Sequence, residues 1–428
     1  MLIILHWQKA ECSFFKKSLN QIIKERTEYN MFLLLSIIVY GFMMWIMDYF
    51  GNIAYRKQYP QGINGIDLFD NKKIGLMSLL TKNYYFIPIF VFCLFSAIRY
   101  KVGVDSVAYK SYFYEILQHG RLLTDGAAEQ GFVVLGKFTS YFTDSHYLFF
   151  FILAFLQIVF IYYALRKRNY ALKYIGVSII LSGFYFSLMN GVRQYIVACA
   201  FVAMISLITE KKKWWLFVLA VFICSFMHKS AFILLPIGLL SYFVLSKGIL
   251  SIKLQLLIVA VCYIMMDKID VSFLDTFFAL GEKAGYATES IEVYTGLEAT
   301  EKSFGLRSII LLVAQISTIL YCRKILQISK NDKVVVIMYN LFFIGVCIRT
   351  LFYNNFTIER LSYYLVVFQP AMLSTMLFIT SISDKKKDKY IYNSTIFLLS
   401  VSFLYLLYIA SGNLITESTL YKFDLFQN

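Results

Sequence analysis

The chain has 428 residues, 59% of them hydrophobic and 16% charged, with a mean hydropathy of +0.65. These values exclude an ordinary soluble domain, which is about half apolar and about a quarter charged. The formal charge of +15 does not signal nucleic acid, because the basic residues sit in short clusters between apolar runs, the pattern that orients membrane helices.

A hydrocarbon core about 30 Å thick takes roughly 20 helical residues to cross. Apolar runs of that length recur along the chain and predict an all-α, polytopic integral membrane protein with about 12 transmembrane helices. Spans are expected at 31–50, 83–99, 145–165, 172–189, 191–208, 214–227, 230–246, 251–266, 306–322, 334–352, 360–381 and 391–411. The polar break "MHKS" at 227–230 separates the sixth from the seventh, since a single helix over both would reach about 50 Å. One long tilted or re-entrant helix is the alternative there.

Residues 31–428 read as a single membrane domain, with no Gly/Ser-rich or Pro-rich linker and no internal repeat. Residues 1–30, with Lys9, Lys16, Lys17, Lys24 and Arg26, are either a surface-lying amphipathic stretch or an extension ahead of a natural start at Met31. Their short early apolar run and lack of a small-residue cleavage site do not match a signal peptide. Seven scattered cysteines (Cys12, Cys93, Cys199, Cys224, Cys262, Cys322 and Cys347) show no metal or redox spacing and read as small apolar fillers.

Basic clusters at 166–168 with Lys173, 211–213, Lys247 with Lys253, 323–333 and 384–389 fall on alternate connections, which are therefore expected in the cytoplasm. The opposite connections, including the two long loops 100–144 and 267–305, are then extracytoplasmic. Arg99, Arg193, Arg307, Arg349 and Arg360 all lie at the outer ends of spans, where this rule predicts few cations. Arg307 and Arg349, each taken alone, read as snorkelling or as structural ion pairs. Several arginines converging from different helices suit a diphosphate, because the guanidinium stays charged and presents a planar fork to phosphate oxygens.

The first long loop opens with "IRYKVGVDSVAYKSYF" at 98–113, grouping Arg99, Asp105 and Tyr109, and continues at Glu129 into an amphipathic stretch of Phe132, Val133, Leu135 and Phe138 around Lys137. Asp105 is either a helix cap or a catalytic group, and Glu129 either a solvated acid or a catalytic group. His228, between two apolar segments and beside Lys229, is either a hydrogen-bonded structural residue or a proton carrier near neutral pH. No second histidine or cysteine stands at ligand spacing, and no P-loop, zinc-protease or nucleophile-elbow motif is present.

The succession "IRYKVGVDSVAY", "EQGFVVLGKF", "GVRQYIVACA", "SFMHKSAFILLP" and "IERLSYYL" resembles the EpsG-like polymerases of bacterial exopolysaccharide synthesis, a branch of the Wzy-type polymerases. The most specific parts are Gly-x-Asp-x-x-x-Tyr at 103–109, Arg193 with Gln194, and Phe-x-His-x-Ser at 226–230, with Arg360 and Tyr363 or Tyr364 a weaker match. The resemblance covers the chain from about Met31 onward. It implies a GT-C-like glycosyltransferase of the bacterial plasma (inner) membrane, active at its outer face in exopolysaccharide, capsule or O-antigen synthesis. Undecaprenyl-diphosphate-linked oligosaccharide would be the substrate, with no cofactor and no required metal. A chain-length regulator and a flippase are the protein partners it implies, beside the lipid bilayer itself.

In chemical terms, a hydroxyl on one lipid-linked repeat unit attacks the anomeric carbon of another and lipid diphosphate leaves, which calls for cations and a base. Arg193, Arg360 and Arg99 are assigned to the diphosphate, Asp105, Glu129 or His228 to the base, and Tyr109, Gln194, Tyr363 and Tyr364 to support. The acidic loop 267–305 is expected either to cover a glycan cleft, with Tyr286 and Tyr294 contacting sugar, or to be solvated without substrate contact. A glycan ligase would share nearly the whole site. A flippase or exporter would place its charges at mid-membrane depth, and a non-catalytic scaffold would have little use for an arginine cluster.

Overall fold

The computed structural model describes residues 2–60, 75, 77–123, 129–210, 213–266, 268, 304–353, 355–412 and 419–424. Tyr286 and Tyr294, expected in a glycan cleft, lie outside the described residues. Among the described residues the structure is helical, without strands. α1 (Leu2–Gln58), α2 (Met77–Thr81) and α3 (Asn83–Ala97) lead to two helices of the first long loop, α4 (Ser106–His119) and α5 (Gln130–Ser140), and then to α6 (His146–Leu165). Two short helices, α7 (Ile175–Ile180) and α8 (Phe184–Met189), precede α9 (Val192–Thr209) and α10 (Trp214–Ser225). A 3-10 turn at Lys229–Ile233 runs into α11 (Leu234–Phe243), and α12 (Ile252–Ile264), α13 (Leu306–Leu320), α14 (Cys322–Ile328), α15 (Lys333–Leu351), α16 (Phe356–Val366), α17 (Gln369–Ile382) and α18 (Lys386–Gly412) follow.

Among the described residues, seven segments are long and apolar enough to cross a membrane: Tyr29–Gln58, His146–Leu165, Val192–Thr209, Lys229–Lys247, Lys333–Leu351, Arg360–Ile382 and Lys386–Ile409. Leu306–Leu320 with Cys322–Ile328, bent by 55°, makes an eighth if the pair is one span. The protein is therefore a multi-pass membrane protein. The about twelve helices expected from hydropathy include three apolar ones, α3, α10 and α12, with 15, 12 and 13 residues. At about 1.5 Å per residue each falls short of the roughly 30 Å hydrocarbon core.

The expected span 172–189 departs furthest from expectation. The backbone turns left-handed at Gly183 (φ 76) and the run divides into α7 and α8, both buried in the middle of the protein. At the break itself Ser182 Oγ accepts the Phe184 N–H at 3.3 Å, and at the other end of α7 the Asp48 carboxylate of α1 accepts the N–H groups of Gly176 at 2.7 Å and Val177 at 3.2 Å. Those are first-turn donors of α7 with no partner in their own helix, and an anion is favoured at that end. Around this centre α3 packs on α6, α6 on α9, and α1 on α3 and α7.

Charge separates the two ends of the bundle. At one end Arg168 pairs with Asp332, Nε at 3.0 Å, and Lys324 pairs with Asp388 at 2.7 Å. The connections 98–105, 189–191 and 226–230 meet at the other end, where residues 419–424 also return. Asp424 N–H donates to Ile98 O at 2.9 Å, Tyr100 N–H to Lys422 O at 2.8 Å, and Tyr421 N–H to Ser36 Oγ at 2.7 Å. The Lys110 ammonium closes on the Asp424 carboxylate at 2.9 Å. The start of the first long loop is thus strapped down by the far end of the chain.

Candidate functional site

Arg193 occupies the first turn of α9, the end of a helix at which the dipole disfavours a cation. Its counter-charge is Glu129, whose Oε2 lies 2.7 Å from Arg193 Nη1. Glu129 stands at the N-cap position of α5, yet its side chain makes no capping bond. Both oxygens reach across to other elements instead: Oε1 lies 2.8 Å from His228 Nδ1 and accepts the Lys229 N–H at 3.2 Å. A carboxylate can only accept, so the proton of the first bond belongs to Nδ1, and the Nε2 of a neutral imidazole is left as an acceptor. Burial pushes the Glu129 carboxyl upward, but the His228 hydrogen bond and the Arg193 charge overcome it and hold the group down at about 2. Glu129 is therefore ionised at neutral pH.

Local structure explains how three distant residues meet. The buried Phe132 and Val133 seat α5 against the protein, and Gly131 N–H donates to Phe226 O at 2.7 Å, tying the start of α5 to the end of α10. After that bond the chain leaves the helix, and His228 is extended (φ −158, ψ 118), which swings its ring beneath Glu129. The Arg193 guanidinium lies over the Phe132 ring, 5.3 Å from its centroid. Side-chain exposure is 9% at Glu129, 20% at Arg193 and 27% at His228. The carboxylate is thus the floor of the cluster, while the cation and the imidazole form its open side.

Other expected site residues join from separate elements. Asp105 Oδ2 accepts the Gly191 N–H at 2.8 Å, and Asn190 Oδ1 accepts the Val104 N–H at 2.6 Å, so the loop before α4 and the turn before α9 brace each other. Gly103 (φ 88) permits this approach, because a Cβ there would come within 2.7 Å of Met189 O. Tyr109 of α4 stands against the Arg193 guanidinium. Gln194 Nε2 donates to Arg360 O at 2.7 Å, Tyr195 stacks on Tyr363 with ring centroids 4.8 Å apart, and Ser230 and Tyr364 share a hydroxyl–hydroxyl bond of 2.6 Å. Asp105, Tyr109, Glu129, Arg193, Gln194, His228, Arg360, Tyr363 and Tyr364 are therefore gathered at one end of the bundle.

A family model described as EpsG family matches residues 82–423, most of the chain and every residue of this constellation. The chain belongs to the EpsG family. Membership supports a polysaccharide polymerase-like function in a membrane protein. Neither the curated proteins nor the solved structures compared with the chain include a match.

In this EpsG-family chain Arg99 stands apart from the open side. It is 4% exposed, its Nε donates to Val102 O at 3.0 Å and its Nη1 to Ser96 O, and its guanidinium lies 4.7 Å from the centroid of the Phe150 ring. Three contributors went unassigned in the sequence reading: Asn190, Ser230 and Phe132. Asn190 falls in a turn and Phe132 on an apolar face, so neither is distinguished by residue type, whereas the Phe-x-His-x-Ser run does flag Ser230. Among the described residues no group of three or more His, Cys, Asp or Glu side chains is placed to hold a metal. An apolar groove of about 350 Å³ runs between α6, α9 and α10, walled by Ala200, Ala203, Ala220 and Cys224. Cys224 lies one helical turn before His228.

Proposed function

We propose that this EpsG-family protein polymerises undecaprenyl-diphosphate-linked oligosaccharide repeat units at the outer face of the bacterial plasma membrane. The observation that carries the reading is the buried Glu129 carboxylate bridging a partly exposed arginine and a partly exposed histidine. The basic clusters at the opposite end of the bundle support the orientation.

His228 Nε2 takes the proton of the attacking hydroxyl, whose oxygen forms the new bond to the anomeric carbon as the bond from that carbon to the diphosphate breaks. The electron pair leaves with the diphosphate oxygen, and Arg193 and Arg360 stabilise the charge that develops there. Glu129 fixes the imidazole tautomer and orientation, as the carboxylate does in hydrolase triads. Held near 2, it is too weak a base to take the proton itself. Asp105, committed to the Gly191 N–H, positions the start of α9, and Arg99 supports the loop that carries Asp105. The groove below His228 offers an apolar path for the donor's lipid tail.

Purified protein in nanodiscs, given lipid-linked repeat units alone, should form polymer and release lipid diphosphate. Transfer of intact glycan to a different acceptor without growth would indicate a ligase instead. Translocation of the lipid-linked unit without any new glycosidic bond would indicate a flippase.

A further inference from the structure

The helix that begins after Glu129, α5, is apolar on two faces. Phe132, Val133 and Gly136 are buried against the protein. On the opposite side Val134 is 61% exposed, Phe138 55%, Tyr141 86% and Phe142 62%, at the i, i+4, i+7, i+8 spacing of a single helix face. Tyr141 still holds helical backbone angles (φ −67, ψ −28), so the stripe runs on past Ser140. Phe138 and Phe142 meet edge to face, ring centroids 5.1 Å apart. The exposed Gln130 and Lys137 edge the stripe on one side. An unbroken row of large apolar side chains on so short a helix calls for a covering partner.

The position of α5 in the fold says what that partner is. At its first end Glu129 Oε1 accepts the Lys229 N–H at 3.2 Å, and Lys229 begins the membrane-length segment Lys229–Lys247. Arg193, the other partner of Glu129, is the second residue of the span Val192–Thr209. The far end is followed, six residues after Ser140, by His146, the first residue of the span His146–Leu165. The 11 residues of α5 cover only about 16 Å, so the helix runs across the end of the bundle, between the starts of spans, instead of rising away from it. Its stripe also adjoins the outside of α10: Gly131 N–H donates to Phe226 O at 2.7 Å, and Phe222, Ile223 and Phe226 are all exposed there.

We propose that α5 is an interfacial membrane helix, with Val134, Phe138, Tyr141 and Phe142 immersed in the phospholipid leaflet at this end of the bundle. A helix in that plane buries its apolar face at the boundary of headgroups and acyl chains, aromatic rings favour that level, and Lys137 on the flank reaches to the headgroup phosphates. Immersion holds Glu129, at the head of the helix, level with the headgroups, so the cluster it forms with Arg193 and His228 opens at the membrane surface. The inference concerns the leaflet at this end of the bundle, whichever face of the membrane that end occupies, and does not depend on the polymerase reading.

Nitroxides attached through a genetically encoded keto amino acid at Val134 or at Phe138, which leaves the seven native cysteines in place, test this in phosphatidylcholine nanodiscs. Power saturation compares oxygen, which concentrates in lipid, with a water-soluble nickel chelate. Oxygen should relax both labels several-fold more effectively than the chelate, while a label at Lys137 should be the more open to the chelate. Chelate access equal to or above that of oxygen at 134 and 138 puts the stripe in water and overturns the proposal. Protection that appears only when soluble polysaccharide is added marks a glycan-binding face and overturns it as well. Both positions are exposed and report the same face independently, so loss of fold at one leaves the other to decide.

Discussion

At the residue scale the decisive group is Arg193, which is both an ion-pair partner and the proposed clamp on the leaving diphosphate. Arg193→Lys keeps a charge beside Glu129 but loses the fork, so it should polymerise nearly as poorly as Arg193→Ala. Losing a contact made mainly in the transition state costs about 3–4 kcal/mol, roughly a hundred- to a thousandfold in rate. Polymer yield from purified lipid-linked units checks this. Stability should divide the two variants, because alanine leaves Glu129 buried with one fewer partner, a cost of about 1–3 kcal/mol. Thermal unfolding in nanodiscs should therefore show the lysine variant near wild type and the alanine variant lower. The Glu129→Gln/Arg193→Gln pair should regain that stability without activity.

Glu129 also sets a pH dependence. Its carboxyl is depressed from an ordinary value of 4.5 to about 2, so the stability it contributes is fully present above that ordinary value and is lost as pH falls toward 2. Unfolding curves of wild type and Glu129→Gln should accordingly stay a constant distance apart from pH 6 to 8 and converge under strong acid. A limb in the polymerisation rate near neutral pH is therefore not set by this carboxylate. His228→Asn, which removes the proposed proton acceptor Nε2, should abolish most of the rate.

At the element scale the site depends on the contact between the loop before α4 and the turn before α9. Asp105→Asn keeps an oxygen to accept the Gly191 N–H, whereas Asp105→Ala does not. One such bond is worth about 1 kcal/mol, so alanine should slow polymerisation up to about tenfold and asparagine only slightly. Loss of all activity in the asparagine variant would instead make Asp105 the base. The strap formed by residues 419–424 holds the same loop from behind through Ile98 and Tyr100. Removing residues 419–428 should lower the rate and raise amide exchange over 98–105 while leaving α15 and α17 protected.

At the scale of the whole molecule, the proposed orientation has the Glu129 end outside. Single cysteines at Val104 and at Lys386, in a background without the native seven, would be probed in intact cells with an impermeant thiol reagent. Val104 is 70% exposed and should label, whereas position 386 should label only after the membrane is opened. The reverse pattern would put the site in the cytoplasm and remove the outer-face reading.

Composition and hydropathy by themselves determined that this is a helical, multi-pass membrane protein, because burying apolar runs in lipid is a property of each segment alone. The motifs that resemble the EpsG family determined which residues to watch, since spacing survives in the linear chain. Only the tertiary structure decided that Arg193 is balanced by Glu129 and that Asp105 holds a backbone amide. It also decided that 172–189 breaks at Gly183, and that Asp48, far away on α1, satisfies the buried start of α7 through the Gly176 and Val177 N–H groups. Each of these outcomes turns on a partner distant in sequence, and a charge or a hydrogen bond is settled by what lies across from it in space.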